Sequence, residues 1–128
     1  MPLYQCYTPE DSLDDDQRAR IAGAITDIHC RLTTAPPTFV HVQFHDRPDR
    51  GDAQPIKLSG GIRAGRPASV TADLVEQISA AVSEIGGVDR RLITMRTVET
   101  PASWILEGGR VMPEPGQEDA WAEAGAGG

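Results

Sequence analysis

An α/β fold is what this sequence predicts: two β-α-β units forming a four-stranded mixed sheet with both helices on one face. Three observations carry that expectation. Apolar residues recur at helical spacing in two separate stretches, Ile21, Ile25, Ile28 and Leu32, then Val70, Leu74, Ile78, Val82 and Ile85. Short strand-like runs lie before and after each stretch. The distance from helix start to following strand is also alike in the two halves, about two dozen residues from Asp14 to Thr38 and from Ser69 to Ile93, a weak internal repeat.

Taken in order, Pro2 to Thr8 reads as a first strand, with a proline tolerable at its start. The helix from Asp14 to Leu32 opens on a capping-box pattern, Asp14 with Gln17 three residues on. Asp15 and Asp16 suit the positive end of its dipole, and Pro36-Pro37 stops it. Thr38 to His45 alternates as a strand, with Val40, Val42 and Phe44 on one face. A charged, turn-rich loop over 45–55 leads to a short glycine-containing strand, Ile56 to Ile62, and a turn from Arg63 to Pro67. The second helix spans Ser69 to Ile85, Gly86-Gly87 ends it, and Leu92 to Val98 forms the last long strand.

Each unit should be a right-handed crossover joining parallel strands. Two units side by side leave the far face of the sheet uncovered, which calls for a partner subunit. The whole chain is expected to be one domain over 1–128, with units at 1–50 and 56–100. A C-terminal segment follows over 101–116, a short helical turn from Pro101 to Glu107 and an extended arm from Arg110 to Pro115. The Ala- and Gly-rich stretch 117–128 is expected to fray.

Composition narrows the function. With 39% hydrophobic and only 5% aromatic residues, the core must rest on Val, Ile, Leu and Ala, and such a core is marginal alone. A net charge of -7 argues against nucleic acid, since neutralising phosphates needs surplus Lys and Arg. It leaves room for a small anionic substrate, which responds to local charge. No run approaches the ~20 apolar residues of a membrane helix, and no export signal is recognised. Two cysteines, Cys6 and Cys30, fit free thiols in a cytoplasmic protein.

Several residues have chemistry to offer. With Met1 removed, Pro2 would present a secondary amine suited to proton transfer near neutrality, although a Met-Pro start means little alone. Arg63 and Arg66 flank the start of the second helix, where two guanidinium forks make a good carboxylate site; the plainer reading is two solvated loop arginines. His29 lies beside the apolar stripe of the first helix, and Glu107 stands next to two glycines; each reads as readily as an ordinary structural or surface residue. His41 and His45 share a strand face four residues apart, a poor chelate, so no metal is expected. No P-loop, GxGxxG motif or nucleophilic triad is present, and no cofactor is expected.

In combination these residues resemble the cis-3-chloroacrylic acid dehalogenases of the tautomerase superfamily, relatives of 4-oxalocrotonate tautomerase. The resemblance runs from Pro2 to about Trp121, through P-L-Y at 2–4, A-I-T-D-I-H at 24–29, R-A-G-R at 63–66 and P-A-S-W-I-L-E-G-G-R-V-M-P-E-P-G at 101–116. It implies a homotrimer and a catalytic Pro2. It further implies a substrate-binding His29, a carboxylate-binding pair in Arg63 and Arg66, and a water-activating Glu107; Tyr4 also falls on a matching tyrosine. Arg96 stands where the dehalogenases have a tyrosine, Ala35 replaces a threonine and Phe39 a leucine. A permanently charged Arg96 would add an anchor for an anion or quench Glu107. The implied activity is therefore acid/base chemistry by Pro2 on a small 2-oxo, enol or unsaturated carboxylate, with hydration or hydrolytic dehalogenation of 3-haloacrylates if Glu107 activates water. The alternatives are an inactive homologue that binds a small carboxylate, or a purely structural trimer.

Overall fold

The Asp14 capping box forms as its spacing predicts, and it starts the first helix. The Asp14 carboxylate accepts from the Gln17 backbone N–H at 2.7 Å, and the Gln17 side chain accepts from the Asp14 N–H at 3.0 Å. The computed structural model describes residues 1–48 and 51–126. Its elements are β1 (Leu3–Pro9), α1 (Asp15–Thr33), β2 (His41–Arg47), β3 (Ile56–Arg63), α2 (Ala68–Gly86), β4 (Ile93–Thr100), β5 (Leu106–Glu107), β6 (Arg110–Val111) and α3 (Glu118–Ala126).

The main sheet has the order β2-β1-β3-β4. β1 runs parallel to β2 and β3 parallel to β4, as each crossover requires, while β1 and β3 pair antiparallel and join the units. The sheet is thus four-stranded and mixed. Both helices pack against one face. Ile21, Ile25 and Ile28 from α1 and Leu74, Ile78 and Val82 from α2 close on Tyr4, Cys6, Ile56, Leu58, Ile62 and Ile93 of the sheet. Alternation puts Gln5, Tyr7, Lys57, Ser59, Thr94, Arg96 and Val98 on the opposite face, which neither helix covers. Val98, Trp104, Leu106 and Val111 remain exposed.

The structure corrects the expectation in three places. The second strand starts at His41, not Thr38, because Pro37 opens a 3₁₀ turn over Pro37–Phe39 first. The segment 101–116 holds a 3₁₀ turn over Ala102–Trp104 and then a two-stranded hairpin, β5 with β6, whose turn uses the positive φ of Gly108 and Gly109. The stretch expected to fray forms α3 through Ala126. Trp121 anchors it, donating from Nε1 to the Val111 carbonyl at 2.7 Å and packing edge-on to Phe39. Within the loop 45–55, Asp49 and Arg50 lie outside the described residues, as do Gly127 and Gly128. No helix among the described residues is long and apolar enough to cross a membrane.

Gly60 is a glycine for a packing reason. A Cβ there would sit 2.8 Å from Cε1 of the buried Tyr4 ring. We predict that Gly60→Ala lowers stability by about 1–3 kcal/mol, the ordinary cost of overpacking a core. A denaturant midpoint equal to that of the wild type would contradict this.

Candidate active site at one end of the sheet

The topology gathers several chain ends in one place. β1 begins where β3 finishes, because Leu3 pairs with Gly61 in the antiparallel register. β4 ends beside them, with Thr100 opposite Arg63. α1 returns toward this end and α2 departs from it. The amino terminus, the last turns of α1, the loop from Arg63 to Pro67 and the segment after β4 therefore converge.

Tyr4 points into the core from β1, and its hydroxyl lies 2.7 Å from His29 Nδ1 on α1. Either the hydroxyl donates to Nδ1, which puts the proton of the neutral ring on Nε2, or Nδ1–H donates to the hydroxyl oxygen and leaves Nε2 an acceptor. That Nε2 is buried and has no partner among the described residues. Burial, reinforced by the charges of Arg66, Arg63 and the amino terminus, pushes the His29 pKa down to about 3. The imidazole is thus neutral, and in the Nε2–H tautomer it is a donor. Burial also raises the Tyr4 phenol well above its ordinary range, so it stays protonated.

The two arginines differ in their commitments. Arg66 spends Nη1 on the Arg63 carbonyl at 3.3 Å, while its Nε and Nη2 are buried without a partner among the described residues. Burial and the nearby Arg63 depress its pKa, yet a guanidinium stays charged. Arg63 follows core residue Ile62 on β3, so alternation turns it to the opposite face. There it donates from Nη1 to the Pro113 carbonyl at 2.5 Å and from Nη2 to Glu118 at 2.6 Å. The pair is almost fully enclosed, with side chains 1% and 8% exposed. The Phe39 ring lies 5.8 Å below the guanidinium carbon.

Met1 is present in the structure, and its amino group makes an ion pair with Glu107. Burial and then the charge of Arg63 lower the pKa of this amine. Pro2 beside it is buried, and its carbonyl accepts from the His41 N–H at 3.0 Å. A groove between α2 and β4, bordered by Arg66, Ala68, Thr71, Val75, Thr97 and Glu99, opens beside Arg66.

Pro2, Tyr4, His29, Arg63, Arg66 and Glu107 are therefore gathered at one end of the sheet, as the resemblance implies. Arg96 is not. It pairs in register with Ser59 on the exposed face of β4, and no hydrogen bond or ion pair engages it among the described residues. Its neighbour Met95 takes the inward position, so a residue one step along must point away. The sequence reading missed Glu118 and Trp121. The available signal was a single tryptophan three residues after a glutamate in an otherwise Ala- and Gly-rich stretch.

His29 makes stability depend on pH with a definite sign. Folding lowers its pKa from 6.5 to about 3, so the unfolded chain takes up the proton first. The associated stability is complete above pH 6.5 and is lost as the pH falls toward 3. In an NMR titration we expect the ring to remain neutral down to about pH 4, with the stability advantage over His29→Gln shrinking across this window. A ring midpoint near 6.5 would contradict the assignment.

Residues 1–53 match the family described as "Putative oxalocrotonate tautomerase enzyme". Among solved structures, the chain is similar to N1, a member of the cis-3-chloroacrylic acid dehalogenase family, at 26% identity and TM-score 0.86, over 93% of this chain and 89% of that one. It is 34% identical to Ps01740, with TM-score 0.77, over 82% of this chain and 99% of that one. A fused 4-OT, solved as an asymmetric trimer, shares the fold at TM-score 0.75 and 17% identity, over 85% of this chain and 94% of that one. No curated protein matches. Mixed β-α-β topology, the clustered end of the sheet and these likenesses together place the chain in the tautomerase superfamily.

Proposed function

We propose that this protein is an enzyme in which Pro2, freed by removal of Met1, acts as general acid and base on a small 2-oxo, enol or unsaturated carboxylate. The supporting observation is a set of three buried nitrogens without a partner among the described residues, His29 Nε2 with Arg66 Nε and Nη2, of which His29 also feels the charge of the amino terminus. Buried donors without acceptors are costly, and a carboxylate would satisfy all three. Arg66 would hold the carboxylate as a fork, with His29 adding a neutral hydrogen bond. Polarising the acid in this way draws electron density from its α,β bond.

The surroundings that lower the Met1 amine, burial and Arg63, would act on the Pro2 nitrogen in the same sense. A lowered amine pKa leaves part of the population free as base at neutral pH and keeps its conjugate acid strong enough to protonate carbon. Loss of Met1 would also release Glu107 from its ion pair. Glu107 could then deprotonate water, giving hydration or hydrolytic dehalogenation of a 3-haloacrylate; with Glu107 idle, the outcome is enol-keto tautomerisation.

We propose that the protein forms a homotrimer; the fused 4-OT is described as an asymmetric trimer. The uncovered sheet face and the exposed Val98, Trp104, Leu106 and Val111 support that reading. Arg96 lies on the face such an assembly would bury, so its contact with substrate, if made, belongs to a neighbouring copy. The second reading, a carboxylate binder without turnover, draws on Met1, which while retained acylates the Pro2 nitrogen and holds Glu107 in an ion pair.

The test is kinetic. Intact-mass measurement first establishes loss of Met1, and phenylenolpyruvate, 2-hydroxymuconate and cis-3-haloacrylates are then assayed with wild type and Pro2→Ala. We expect the variant to lose on the order of 10²-fold or more in kcat/KM on any acid the wild type turns over. Equal rates would overturn the proline mechanism. Intact carboxylate binding without turnover in either protein would favour the second reading.

A further inference from the structure

Glu118 is a carboxylate already seated on Arg63. It enters from α3, 55 residues along the chain, and the pair is enclosed on every side that the structure describes. Three features hold it there. Gly116, with φ of 91°, turns the chain there, and the backbone of Gly116 and Glu118 favours the charged form of the Glu118 carboxyl. Trp121, one turn further on, pins α3 through its bond to the Val111 carbonyl. Arg110 stacks over the Trp121 ring at 3.9 Å and donates to the Trp121 carbonyl at 2.7 Å. Burial alone would raise the Glu118 carboxyl, but the Arg63 bond and these backbone donors outweigh it, and its pKa is held below the ordinary range. Glu118 is therefore charged near neutral pH.

The consequence is a difference in pairing between two arginines three residues apart. Arg63 holds Glu118 in a direct ion pair, whereas Arg66 has no directly paired carboxylate among the described residues and feels Glu118 and Glu99 only as nearby charges. Glu107, paired with the Met1 amine, is a second carboxylate at this end of the sheet. We infer that Glu118 is a specificity-determining residue that cancels one guanidinium and so fits the site to monocarboxylates and against dicarboxylates. This rests on the carboxylate-binding reading above and does not depend on turnover. Glu118 does not touch the substrate; it acts through Arg63.

The test compares two four-carbon acids with one skeleton, crotonate with one carboxylate and fumarate with two. Their Kd values are measured by calorimetry on protein lacking Met1. The wild type should bind crotonate at least as tightly as fumarate. Glu118→Gln keeps an acceptor for Arg63 Nη2 while removing the charge, and should move the fumarate-to-crotonate preference toward fumarate on the order of tenfold. Glu118→Asp, which restores the charge, should return the wild-type preference. Binding of both acids with the same preference in wild type and Glu118→Gln overturns the inference and leaves the carboxylate site intact. A wild type that binds fumarate tenfold tighter overturns it without any variant. Failure of the wild type to bind either acid overturns the carboxylate site and this inference with it.

Discussion

The antiparallel pairing of β1 with β3 is the constraint on which the rest of this structure depends. Each β-α-β unit alone would be a parallel pair with one helix, its remaining sheet edges open. Pairing Leu3 with Gly61 joins the two units edge to edge and merges two helical stripes into one core. The same register sets the start of the chain against the end of β3. A protein that works through its first residues needs them held by a rigid element, and here the anchoring is part of the sheet. The capacity for chemistry and the stability of the fold thus share one set of backbone hydrogen bonds.

Strand alternation then divides the charges. Tyr4 and Gly60 face the helices, so the tyrosine hydroxyl reaches His29 without leaving the core. Ile62 takes the last inward position of β3, and Arg63 must turn outward, where Pro113 and Glu118 receive it. Arg66, three residues on and past the turn, keeps two donors unspent. Two arginines that look equivalent in the motif R-A-G-R have become one cation enclosed in a direct ion pair and one with donors left over. Enclosing an isolated guanidinium as deeply as Arg63 would carry a large desolvation penalty, which the Glu118 partner offsets. Arg66 is only partly enclosed, and it feels Glu118 and Glu99 as nearby charges without a direct ion pair.

Most of the fold was legible locally. The Asp14–Gln17 box, the Ile21, Ile25 and Ile28 stripe and the Gly87 stop are short-range signals, and they fall where the sequence puts them. The second strand was misjudged at its start because Pro36-Pro37 signals the end of a helix equally well whether a 3₁₀ turn or a strand follows. α3 was missed for a different reason. Its Ala and Gly composition shows no apolar stripe, and its docking relies on one ring, Trp121, and one charge, Glu118, both with distant partners. The Arg63–Glu118 pair spans 55 residues, a separation at which nothing in a local pattern marks two charges as neighbours. Of the site, the residue types around Pro2 were readable through the motifs they form. The place of Arg96 was not, since a motif match does not show that it sits opposite Ser59, four residues short of the Arg63–Thr100 end of the pairing.

The central claim is that a carboxylate belongs on Arg66 and His29 beside the first residues of the chain. A crystal structure of the protein without Met1, soaked with crotonate, tests it most directly. We expect carboxylate oxygens within hydrogen-bond distance of Arg66 Nη2 and His29 Nε2, the Pro2 nitrogen next to the double bond, and Glu118 still on Arg63. A carboxylate bound on Arg63 with Glu118 displaced, or His29 Nε2 turned from the ligand, would contradict it.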